Sequence, residues 1–96
     1  MHQEVLKVIV DCLEEINGVS IDMNEDANRV YLFGVHVALT SLDFITLLIR
    51  LENNFDIVFS EGVLIPKEDL SLGELLNDVL TKIDERGKHY ESNAEN

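Results

Sequence analysis

Ser41 stands in the segment Leu39-Thr40-Ser41-Leu42-Asp43-Phe44-Ile45, at the mouth of a strongly periodic apolar run. Every sharp reading of this chain hangs on that hydroxyl. An enzyme nucleophile would need a base beside it, and the sequence places no histidine next to Ser41, so the chain is not read as an enzyme. The plainest role for such a residue is to start a helix, because Ser/Thr-x-x-Asp/Glu segments recur at helix N-termini with no chemistry attached. Two other groupings could hold a metal. Asp22, Asn24, Asp26 and Asn28 alternate like the ligands of a calcium loop, but Ala27 occupies the glycine position and Phe33 that of the bidentate glutamate. His2, His36 and His89 share no ligand spacing with Cys12, so no zinc site is expected.

The elements that position these groups can be read from apolar spacing. Val5, Leu6, Ile9, Cys12, Leu13 and Ile16 recur by threes and fours, and Gly18 follows as a stop signal, predicting a helix over His2–Asn17. Cys12 falls on its apolar stripe as a small buried hydrophobe, and as the single cysteine it excludes an intrachain disulfide. From Gly18 to Leu39 the pattern breaks. Val30–Val37 carries strand-forming residues but has Gly34 in its middle and no second strand at hairpin distance, so a long loop dipping apolar side chains between helices is expected. A loop of that length is uncommon unless it is functional.

The second helix is expected to begin at Ser41, with Thr40 as N-cap and Asp43 completing a capping box. Phe44, Ile45, Leu48, Leu51 and Phe55 are assigned to the core or to the wall of a cavity. Leu42, Asp43, Thr46 and Ile49 are placed on the outer face with Ser41. Ile57–Ile65 reads as extended or irregular, and Pro66–Leu70 as a short turn of helix opened by proline. The last helix is expected from Ser71, paired with Glu74 as a second capping box, and it carries Leu72, Leu75, Leu76, Val79, Leu80 and Ile83 on one face. Residues 85–96 have no apolar periodicity and are read as a disordered tail, leaving one domain over 1–84.

Ninety-six residues, 46% hydrophobic and with a single proline, are enough for one small domain and too few for two, and the helical patterns make that domain all-α. Nineteen acidic against seven basic side chains give a net charge of −12, a field that repels nucleic acid and anionic membranes and attracts basic partner surfaces. No apolar run reaches membrane-spanning length, and Met1–Asn17 lacks the basic start and cleavage site of a signal peptide. A cytoplasmic monomer is expected.

The order helix, loop, helix, short helix, helix, the acidic balance, and Ser41-Leu42-Asp43 opening the second helix together resemble the acyl carrier protein family. Asp69-Leu70-Ser71-Leu72-Gly73-Glu74-Leu75-Leu76 is similar to that family's entry into its last helix, and the resemblance covers roughly Val5 to Ile83. It implies a small four-helix bundle with three long helices and one short. It further implies that Ser41 receives 4′-phosphopantetheine from coenzyme A through a phosphopantetheinyl transferase. The arm would hold acyl or aminoacyl groups as thioesters for enzymes of a fatty acid, polyketide or related pathway. An anion on Ser41 would lie near the positive end of the helix dipole. Leu42 and Ile49 would fill partner pockets, Asp43 and Glu52 would steer basic partner surfaces, and Thr46 shares their face.

Three departures mark a specialised carrier. Thr40 stands where the family has aspartate, which keeps the cap but removes a charge that a transferase would read. Arg50, Asn53 and Asn54 replace small or acidic residues, and the Ile57–Ile65 link is more apolar than usual. The alternative is an unmodified carrier-like module that binds or regulates a larger complex through its second helix.

Overall fold

The computed structural model describes residues 2–59 and 68–95, with side chains described up to residue 86. Three α-helices carry the fold: α1 (His2–Asn17), α2 (Ser41–Phe55) and α3 (Leu72–Glu95). One turn of 3-10 helix, Ala27–Arg29, interrupts the long first loop. Among the described residues there is no strand, so the all-helical expectation holds. Of the short helix expected at Pro66–Leu70, Pro66 and Lys67 lie outside the described residues, and Glu68-Asp69 form a turn leading to Leu70.

α1 ends where glycine can end it. Gly18 takes φ +80° and its N–H donates to Glu14 O at 2.8 Å, closing the helix in a left-handed turn. Asn17 then ties the helix end to the loop, its Nδ2 donating to Val37 O at 2.8 Å. The inner face of α1 buries Val5, Leu6, Ile9, Val10, Cys12 and Leu13. That face packs on both α2 and α3. Burying such a side chain contributes roughly 1.5–3 kcal/mol, so this shared stripe is the main force holding the three helices together.

The first loop is a structural layer of its own. Leu32, Val37 and Leu39 are buried with the helical core, and Phe33 meets Phe44 edge-to-face with ring centroids 5.3 Å apart. Val30–Leu32 also makes a small piece of the pairing that its strand-forming residues suggest. Tyr31 and Ser71 form an isolated antiparallel bridge, with Leu32 N–H donating to Leu70 O and Leu72 N–H to Val30 O, at 3.0 and 2.7 Å. The second bond satisfies a backbone donor at the start of α3 that has no intrahelical partner.

α3 begins at Leu72, one residue after the expected start, because Ser71 caps it: Glu74 N–H donates to Ser71 Oγ at 3.1 Å. Gly73 lies against the 3-10 turn so closely that a Cβ there would sit 2.1 Å from Asn28 Oδ1 and 3.1 Å from the Asn28 backbone nitrogen. The helix runs to Glu95, where a disordered tail over 85–96 is expected from the sequence. An established helix extends by one hydrogen bond per residue and needs no apolar stripe to do so.

Candidate functional site

α2 starts as its sequence dictates. Thr40 is the N-cap in extended conformation, its Oγ1 accepting from Asp43 N–H at 3.0 Å while Asp43 Oδ2 accepts from Thr40 N–H at 3.4 Å. Phe44 N–H donates to Thr40 O at 3.0 Å, the first regular helical bond. The N–H groups of Ser41 and Leu42 therefore remain without an intrahelical acceptor, beside an exposed Ser41 side chain. A phosphate on that hydroxyl would meet two free donors and the positive helix end.

The chain leading into this cap is held rather than loose. Ala38 adopts φ 50°, a left-handed conformation that costs an L-residue about 1 kcal/mol, and its N–H donates to Gly34 O at 2.7 Å. Leu39 N–H donates to Leu32 O at 3.0 Å. With Asn17 on Val37 O and Phe33 on Phe44, four contacts fix Thr40 and Ser41 relative to the core.

Along α2 the expected faces need one correction. Phe44 and Leu51 are buried, Leu48 and Phe55 are half-buried, but Ile45 is 54% exposed and belongs to the outer surface. Leu47, fully buried, takes the core position instead. Ile45 follows Leu42 by three residues and precedes Ile49 by four, so all three share one face, and at 72%, 54% and 50% exposed they form an apolar strip running from Ser41. Thr46 is half-buried beside it, its Oγ1 donating to Leu42 O at 3.1 Å. Asp43 is half-buried in the capping box. Glu52 is already engaged: its Oε2 accepts from Phe59 N–H at 3.0 Å, anchoring the segment after α2. Arg50 pairs with Glu15 on α1, bridging the two helices.

The remaining sequence candidates have structural uses. Asp22 and Asp26 accept from the N–H groups of Asn24 and Asn28, at 2.8 and 3.0 Å, forming two turns. Among the described residues no cluster of three metal-ligating side chains occurs. Cys12 is buried, and desolvation pushes its thiol above the ordinary value of 9.0, with Arg50 opposing. No helix of the described residues is long and apolar enough to cross a membrane. No family model, curated protein or solved structure matches this chain.

Proposed function

We propose that this protein is a carrier of acyl or aminoacyl groups, held as thioesters on a 4′-phosphopantetheine arm attached to Ser41. The observation that carries the reading is the exposed Ser41 in the first turn of α2, behind a Thr40–Asp43 capping box and at the head of the Leu42, Ile45 and Ile49 strip. In the transfer, Ser41 Oγ attacks the pantetheine-bearing phosphorus of coenzyme A. The hydroxyl proton passes to a base of the transferase, and adenosine 3′,5′-bisphosphate leaves. The protein itself makes and breaks no cargo bond. Partner enzymes with basic surfaces would meet the acidic protein through the α2 strip, and Asp43 would steer them. A short helix at Pro66–Leu70 would complete a four-helix bundle, and the reading places the monomer in the cytoplasm within a fatty acid, polyketide or related pathway.

A second reading, an unmodified module that binds a larger complex through α2, is favoured by Thr40 at the position where carriers use aspartate. The apolar strip serves either role. Intact mass after incubation with a broad-specificity transferase, magnesium and coenzyme A separates them. One phosphopantetheine increment, absent in Ser41→Ala, is expected for the carrier. No increment with several transferases, together with function surviving Ser41→Ala, establishes the module.

A further inference from the structure

A cavity of about 420 Å³ lies within the first loop, walled by Val19, Ile21, Val30 and Val37 and lined also by Tyr31 and His36. We infer that this loop cavity, and not the space between the helices, receives the free end of the group carried on Ser41. We further infer that it favours a short, branched aliphatic end bearing a hydroxyl. The inference rests on the carrier reading above.

Three observations lead to it. The interior face of α2 is filled: Phe44, Leu47 and Leu51 are each 2% exposed or less, and interiors packed to that degree admit an extra group only at a cost of about 1–3 kcal/mol. The loop cavity needs no such opening, and its volume falls at the small end of ligand sites, which suits a short group. Its place in the chain is also right. Val37 precedes Ser41 by four residues, no more than about 14 Å of chain, which is within reach of an extended pantetheine arm. Two hydrogen bonds, from Asn17 Nδ2 to Val37 O and from Leu39 N–H to Leu32 O, hold this wall in place beside the start of α2. Val19, Ile21, Val30 and Val37 in its lining are β-branched and stiff, while Ser20, Tyr31 and His36 in the same lining supply groups that can pair with a hydroxyl. Glu25 and Arg29 also line the cavity, and Arg29 lies 3.8 Å from Asp26, which offsets its charge for an anionic end. A larger hollow of about 620 Å³ is lined by Asp26 and Glu74 and by residues of α1 and α3, with none of its lining from the segment that leads into Ser41.

The test attaches the arm chemically. Ser41→Cys is alkylated with a haloacetyl reagent carrying a pantetheine-length spacer that ends in a 3-hydroxy-3-methylbutyryl amide; buried Cys12 is spared. Methyl NMR should then show nuclear Overhauser contacts from the branched end to Val19, Ile21, Val30 and Val37. Contacts to Leu47, Leu48 or Leu51 instead, or contacts to no methyl group, overturn the inference. Tyr31→Phe, at a half-exposed position, should weaken the contacts of the hydroxyl end several-fold and leave those of a 3-methylbutyryl end unchanged. Equal effects on both overturn the hydroxyl preference. Because this arm needs no transferase, the two failures are distinguishable: no mass increment on native Ser41 with several transferases, together with function surviving Ser41→Ala, removes the carrier reading, whereas absence of loop contacts removes the cavity.

Discussion

Thr40 holds the start of α2 with its hydroxyl and, being uncharged, alters what a partner meets beside Ser41. The two effects separate by substitution. Thr40→Ala should cost about 1 kcal/mol in urea unfolding through loss of the cap. Thr40→Asp should keep the stability, since aspartate caps as well, and should speed modification by a broad-specificity transferase in a mass time course. Equal rates for the parent protein and Thr40→Asp would show that the transferase does not read this charge. Cys12 gives a pH dependence whose sign follows from burial. Its thiol is pushed above 9.0 in the folded protein, so above that pH the unfolded chain loses a proton that the folded chain keeps. Stability is therefore full below pH 9 and declines as pH rises from there toward the folded value. Urea midpoints across pH 8–10.5 check this, and Cys12→Ala should flatten the decline.

At the scale of elements, α2 shows which assignments the sequence could carry. Its start was legible because Thr40 and Asp43 form a local signal, and the end of α1 because Gly18 takes the left-handed turn without the Cβ penalty other residues meet there. Its inner face was less legible. Apolar residues at Leu42, Phe44, Ile45, Leu47, Leu48, Ile49 and Leu51 fit more than one stripe, and only packing against α1 decides that Leu47 points inward and Ile45 outward. Leu47→Ala should accordingly cost about 3 kcal/mol and Ile45→Ala no more than about 0.5 kcal/mol in urea unfolding. The loop cavity and the Tyr31–Ser71 bridge were out of reach, since each joins segments whose pairing has no local signature. Gly73 was visible only as part of a motif, yet it is where the 3-10 turn meets α3. Alanine there gains up to about 1 kcal/mol of helix propensity and loses about 1–3 kcal/mol to crowding against Asn28, so Gly73→Ala should be net destabilising. Asn28→Gly should relieve part of that loss, because the 2.1 Å contact is with the Asn28 side chain.

For the whole molecule, a charge of −12 on 96 residues acts on stability and on encounters alike. The exposed ion pairs Lys7–Asp11 and Glu15–Arg50 contribute little, about 0–1 kcal/mol each, against the repulsion of so many carboxylates. Raising sodium chloride from about 0.02 to about 0.5 M shortens the screening length several-fold, so the melting temperature should rise while association with basic partners slows. A melting temperature that falls with salt would show that the ion pairs outweigh the repulsion. The bridge between the first loop and the start of α3 has a consequence in time. Its two hydrogen bonds join residues about 40 positions apart, and closing a loop of that length costs about 3 kcal/mol of chain entropy before the contact returns anything. These bonds are expected to form late, because α1 closes loops at least as long against α3 but is repaid by the burial of a whole apolar face, which two hydrogen bonds are not. Weakening them through Val30→Gly should leave the refolding arm of a chevron almost unchanged and speed the unfolding arm, so the wall of the loop cavity sets how long the native state survives once made.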